Sequence, residues 1–118
     1  MDDLTNVKAG GVVVGTDPFF TSRSERLAAA SLRAALPAIY QYREFVAAGG
    51  VMSFGGSITE SYYRAGLYVA RVLKGEKPAD LPVQLTTKVE LLLNLKSAKQ
   101  LGLDVPLSLL GRADEIIE

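Results

Sequence analysis

The chain contains no cysteine and no histidine. Thiol catalysis, the usual zinc sites and every mechanism that passes a proton through imidazole are thereby excluded. Lacking cysteine, the sequence suits an oxidising or a reducing compartment equally. It has no excess of either charge: 13 basic and 13 acidic side chains cancel and are scattered along the chain. No net field draws it to a membrane surface, and no Lys/Arg cluster marks a nucleic-acid binder. No apolar run approaches membrane-spanning length. The opening MDDLTNVKAGG is acidic, and Val12–Val14 is too short for a signal segment. Repeats, low-complexity tracts, a P-loop, a Gly-x-Ser-x-Gly elbow and a metal constellation are all missing from the pattern, so no cofactor and no metal are expected.

What is present reads as a globular α/β chain. With 118 residues, 48% hydrophobic and 22% charged, it is long enough for one domain over 1–118, with 1–10 expected to be poorly ordered. Gly11-Val-Val-Val-Gly-Thr16 is a β-branched run framed by glycines, ended by Asp17-Pro18 in a turn. A continuous apolar run of this kind suits a strand covered on both faces. Ser22-x-x-Glu25 has the spacing of a capping box and opens a helix with Ala28, Leu32 and Ala35 on one stripe. Pro37–Gln41 is the next strand, Glu44–Ala48 a helical turn closed by Gly49-Gly50, and Val51–Phe54 a third strand. Ser57-x-x-Glu60 is a second capping box. It opens the longest helix, to about Lys74, with Ile58, Tyr62, Ala65, Val69 and Val72 on an apolar face. Gly66 in that helix is expected where backbone packs closely on the sheet. After the loop Gly75–Pro82, Thr87–Leu93 reads as a strand and Asn94 as the cap of a helix to Leu101. The tail reads as irregular or as short helical turns.

The order βαβαβα, loop, βα predicts a three-layer, Rossmann-like parallel sheet with flanking helices. Right-handed crossovers place the exits of the first three strands, DPFF, YQYRE and FGGS, on one edge of that sheet, where ligands of such folds bind.

From Gly11 onward the chain resembles the C-terminal part of ABC-transporter substrate-binding proteins of the tryptophan/tyrosine type, with the type I periplasmic-binding-protein fold. The residues carrying the resemblance are Asp17-Pro-Phe-Phe20, Leu36-Pro-Ala-Ile-Tyr40, Arg43-Glu-Phe45, Ala48-Gly-Gly-Val-Met-Ser-Phe-Gly55 and Tyr62-Tyr63-Arg-Ala-Gly66. They continue through Leu73-Lys-Gly-Glu-Lys-Pro-Ala-Asp-Leu-Pro82, Leu93-Asn-Leu-Lys-Ser-Ala98, Leu101-Gly-Leu-Asp-Val-Pro106 and Arg112-Ala-Asp-Glu115. The resemblance implies two lobes joined by a hinge with a solute between them, a permease partner and a periplasmic address. Only the C-terminal lobe is expected here, and with no export signal the chain as written would stay in the cytoplasm.

Each candidate residue has two readings. The resemblance turns the loop after the first strand toward the cleft, where Asp17 would pair with a ligand's amino group; otherwise Asp17 makes an Asx turn before Pro18. Phe19 and Phe20 stack on an aromatic ligand or join the core. Tyr40, Gln41, Arg43 and Glu44 offer hydrogen bonds and charge at the second strand's exit, or Arg43 and Glu44 form a surface or hinge ion pair. Phe54, Gly55 and Gly56, ahead of Ser57, form an anion-binding helix entrance or only a tight turn, and Glu60 opposes an anion there. Tyr62, Tyr63 and Tyr68 read as packing and rim residues, and Asp2, Asp3, Asp114 and Glu115 as solvated.

The leading expectation is a non-catalytic solute-binding component for an amino-acid-like or small aromatic ligand. The alternative is a receptor lobe without a ligand of its own that persists as a homodimer, with Lys77–Leu93 exchanged between copies. An enzyme using Ser53 or Ser57 is the third reading, disfavoured because no histidine base exists.

Overall fold

The computed structural model describes residues 4, 6–85 and 87–118. It is a mixed α/β fold. Three short strands, β1 (Val12–Val13), β2 (Ala38–Tyr40) and β3 (Met52–Gly55), lie side by side and parallel. β4 (Glu90–Asn94) joins β3 antiparallel, and β5 (Glu115–Ile117) joins β4 in parallel, so sheet order follows chain order. The connections supply α1 (Pro18–Thr21), α2 (Ser24–Arg33), α3 (Arg43–Ala47), α4 (Ile58–Leu73), a 3-10 turn at Pro78–Asp80, α5 (Leu95–Gln100) and α6 (Leu107–Leu110). The expectation of a poorly ordered 1–10 falls partly on residues 1–3 and 5, outside the described residues. Within the described part, Ala9 N donates to Leu4 O at 3.1 Å.

β4, between β3 and the edge strand β5, is the most buried strand, and its sequence ELLLN explains why. Leu91, Leu92 and Leu93 are buried in succession, the pattern of a strand covered on both faces. A second centre of packing is Tyr40, stacked on Phe45 at 4.6 Å and 10° and surrounded by Ala38, Val12, Val14 and Leu27. α3 leaves its last turn through Gly49 at φ 103, a conformation that glycine adopts without steric cost.

Asn94 ends β4 and caps α5: its Oδ1 accepts from Ser97 N at 3.1 Å, while its Nδ2 donates to Val46 O at 3.4 Å. Ser97 Oγ in turn donates to Gly49 O at 2.7 Å. Both residues are buried, so no water replaces these bonds. Asn94→Ala is expected to lower stability by about 1–2 kcal/mol, read as a reduced urea midpoint with an unchanged slope.

Several local expectations are corrected. Asp17-Pro18 starts a helical turn rather than a simple turn, because Asp17 caps it and Pro18 sits at its first position. That turn carries Ser22 to its end, where Ser22 Oγ donates to Phe19 O at 3.0 Å. The Ser22–Glu25 capping box is therefore not formed, and α2 begins after Arg23 without a side-chain cap. At Ser57–Glu60 only half the box exists. Ser57 Oγ accepts from Glu60 N at 3.2 Å, but Glu60 Oε1 accepts from Arg64 Nε at 2.7 Å, an i,i+4 pair. The fourth strand starts at Glu90 and not at Thr87. The tail ends in a strand, because β5 finds the free edge of β4. Asp114 is part of that junction, its Oδ2 accepting from Leu91 N at 2.8 Å, and is not merely solvated.

The largest correction concerns α4. It has no buried residue, and a Cβ on Gly66 would meet nothing within 4 Å. Gly66 is thus not a close-packing site. The molecule extends 55 × 33 × 19 Å with a radius of gyration of 17.5 Å, against about 13 Å for a compact chain of roughly 100 residues.

Candidate ligand-binding edge

Parallel pairing gives the first three strands a common exit edge. Val13 faces Ile39, Ile39 faces Met52 and Tyr40 faces Ser53, so the three strands end together and their exits share one edge. A hollow of about 530 Å³ opens there, lined by Thr16, Pro18, Thr21, Ser22, Tyr42, Ile58, Ser61 and Tyr62. Its walls come from the first strand's exit and α1, from the residue that caps α3, and from the first turns of α4. None of these side chains is charged. Hydroxyls and two tyrosine rings make it a surface for a small molecule with an apolar body and a few polar groups.

Asp17 lies in the same loop and is exposed. Its Oδ1 accepts from Phe19 N at 2.7 Å, so the Asx-turn reading is realised. Phe19 is 58% exposed, meets Phe20 edge-on at 5.7 Å, and carries the Arg23 guanidinium over its ring at 3.9 Å. Arg23 thereby occupies a face of Phe19 that a ligand ring would need.

Tyr40 is corrected from rim to core. It is 2% exposed, with its hydroxyl 3.0 Å from Ser31 Oγ, and burial raises its pKa while the Ser31 bond opposes the rise. Tyr42, two residues on, stands on the hollow instead. A strand exit in YQYR offers both tyrosines, and only the point where the strand stops decides between them. Gln41 is exposed, and its carbonyl and side chain crowd Gly55.

Arg43 does form an ion pair, but its partner is Glu115 on β5 at 2.7 Å, with Glu90 at 4.0 Å, and not Glu44. The pair ties α3 to the far strand and takes Arg43 away from the hollow. Both partners are about half exposed, so it contributes little to stability. Glu44 sits in the first turn of α3 with Oε2 buried and unpartnered among the described residues. Phe54 is 58% exposed and pairs across to Leu91.

Gly55 and Gly56 lead into α4 without an anion site of evident strength. Ser57 already takes the Glu60 N–H. The neighbouring hollow, about 310 Å³, holds Glu60 and Glu90 against Lys88. Lys88 donates to Glu90 Oε1 at 3.0 Å, which raises the lysine's pKa.

Sequence reasoning missed Tyr42, Thr16 and Ser61 as lining residues. It placed Tyr62 on the packing face or rim; the rim is where it lies.

An open, mostly parallel sheet with a hollow where its strands end is an arrangement that many α/β folds use to bind small molecules. The family model described as ABC transporter substrate binding protein matches residues 3–117, and the chain belongs to that family. No curated protein sequence matches it. Among solved structures it is similar to a conserved domain protein from Vibrio cholerae O1 biovar El Tor, at 28% identity and TM-score 0.85 over 92% of this chain and 37% of that one. It is similar, at 26% identity and TM-score 0.85, to the ABC domain in complex with L-Trp from Streptococcus pneumoniae, over 97% of this chain and 39% of that one. A ligand-free, open substrate-binding protein with adhesive properties from Clostridium difficile shares the fold, at 20% identity and TM-score 0.57 over 99% of this chain and 41% of that one. The chain thus spans about two-fifths of the length of the structures it matches.

Proposed function

We propose that this chain forms one wall of the solute cleft of an ABC-type uptake receptor of the tryptophan/tyrosine type. The ligand is an amino-acid-like or small aromatic molecule held at the carboxyl edge of the sheet, and the role is non-catalytic. The observation that carries this reading is the uncharged, tyrosine-walled hollow with Asp17 beside it. An aromatic side chain fits between Tyr42 and Tyr62, the hydroxyls of Thr16 and Ser61 serve polar groups, and Asp17 answers an ammonium. The L-Trp complex of the Streptococcus pneumoniae relative supports the ligand class. An ABC permease and a periplasmic location follow from the same reading.

Calorimetric titration of the chain with L-tryptophan tests it. Asp17→Asn keeps an N-cap oxygen for Phe19 N and removes only the charge. Its expected effect is at least a tenfold weaker Kd, on the order of 1.4 kcal/mol, with the folding transition unchanged. Absence of heat at millimolar tryptophan would sink the proposal for this chain. The bare α4 favours a second reading, a lobe that associates with itself and takes no solute; a dimer mass in light scattering together with silent titration would select it.

A further inference from the structure

The helix α2 buries Ala28 and Ser31 on one face and leaves Arg23, Arg26 and Arg33 exposed on another. With Ala29 and Ala30 between them, the three arginines wall an open groove of about 760 Å³ along the helix, and Glu25 is the one acid lining it among the described residues. Arg23 is held in place before anything docks. Its guanidinium lies over Phe19 at 3.9 Å, and Nη1 donates to Phe19 O at 3.1 Å and to Ser22 Oγ at 3.2 Å. Elsewhere Arg43, Arg64 and Arg71 each pair with a glutamate at 2.6–2.7 Å. Among the described residues the three arginines on the groove pair with none. Arg33, in the last turn of α2, answers the negative end of the helix. Arg23 is the N-cap and Arg26 lies in the first turn, the positive end, where a cation is unfavourable. Their spacing also sets like charges side by side on one helix face.

We infer that this flank of α2 docks an acidic helix of a partner protein, laid antiparallel to α2 with carboxylates facing Arg23, Arg26 and Arg33. Charge complementarity carries the choice of occupant. Cations that cost the helix and are not neutralised within the described fold become favourable once a partner supplies the opposite charge. All three are arginines, whose planar forks match carboxylates bidentately. The alanines between them let a second helix approach closely, and an antiparallel pose brings its negative end to Arg23 and Arg26. Along the axis the arginines stand about 4.5 Å and then about 10.5 Å apart, so acids at the same spacing on the partner meet all of them. A lipid surface fits less well, since it gains only about 1 kcal/mol per arginine. Phe19, the aromatic ring on the groove, already carries Arg23, which weakens it as a wedge for lipid or a platform for a nucleic-acid base. The inference holds whatever solute the rim takes.

Nuclear magnetic resonance titration of the isotope-labelled chain tests it. The probe is a stapled helical peptide whose three glutamates repeat the arginine spacing in reverse order. Backbone amides of 24–33 and the arginine side-chain signals are expected to shift. A peptide of equal composition, with its glutamates spread around the helix, should bind roughly tenfold more weakly or worse. Arg26→Gln combined with Arg33→Gln should weaken the matched peptide by a similar factor and leave the melting temperature unchanged. Neither side chain has an ion-pair partner among the described residues, and their interactions with the helix dipole have opposite signs. A matched peptide that shifts nothing overturns the inference, as do equal binding of the two peptides and a double variant that binds like the parent. Shifts at 24–33 caused by phosphatidylglycerol vesicles and not by the matched peptide give the flank to a lipid surface and overturn it as well.

Discussion

Tyr40→Ala is expected to lower the stability of the fold by about 3–5 kcal/mol, a large part of the roughly 5–15 kcal/mol available to a domain. The ring is 2% exposed and lies flat on Phe45 at 4.6 Å. The neighbour on its edge cannot fill the space it leaves. Gly50, which packs against its edge, has no side chain, and a Cβ there would stand 2.7 Å from Tyr40 Cε2. The cavity therefore persists, and the variant loses both the transfer term and the dispersion contacts of the stack. Tyr40→Phe separates out the hydroxyl. Ser31 Oγ still donates to Ala28 O at 2.8 Å, so nothing buried is orphaned and the expected loss is about 1 kcal/mol. The pH dependence follows from the same contact. Burial raises the Tyr40 pKa above its usual 10.0, so the folded state favours the protonated phenol. The corresponding stability is fully present below pH 10.0 and is lost as pH climbs from there through the folded pKa. Urea midpoints for the parent should fall more steeply over that range than those for Tyr40→Phe, and parallel curves would remove the phenol as the cause.

The parts of the fold legible in the sequence are those fixed by neighbouring residues. Val12–Val14 between glycines, Pro37 before β2, and Gly49-Gly50 between α3 and β3 each mark an element by local chemistry, and three such strands in series imply a shared edge. The caps at Ser57 and Asn94 were legible for the same reason. What escaped depends on distant partners or on where a strand stops. β5 exists because Glu115–Ile117 reaches the free edge of β4, which no local pattern in RADEII announces. Tyr40 and Tyr42 differ only in which side of the strand end they fall, yet one is core and the other lines the hollow. The capping box at Ser22 failed because Asp17 and Pro18 begin a helical turn earlier and use that serine to close it. The periodicity of α4 shows that the helix has a face to bury and not what it is buried against.

Gly55 and Gly66 give a matched pair with opposite signs. Gly55 ends β3 beside the exit of β2, and a Cβ there would collide with the Gln41 carbonyl oxygen and come within 2.6 Å of Gln41 Cγ and 3.1 Å of the carbonyl carbon. The side chain can rotate away; the carbonyl cannot, because it belongs to the strand end that Gly55 lies against. Nor can β3 shift freely to the other side, since Gly55 is paired there with Glu90 of β4. Gly55→Ala is therefore expected to cost about 2–3 kcal/mol, in the range of an overpacked site that must move backbone. Because Gln41 leads directly into Tyr42, the same displacement moves a wall of the hollow, so tryptophan heat should fall along with the melting temperature. Gly66 stands in α4 with nothing within 4 Å of its added carbon, and Gly66→Ala should stabilise the helix by up to about 1 kcal/mol. The two substitutions add the same methyl group, and thermal unfolding of both reads the difference directly. A Gly55→Ala protein as stable as the parent would mean that β2 and β3 do not approach as described, and with that the common exit of the strands would lose its support.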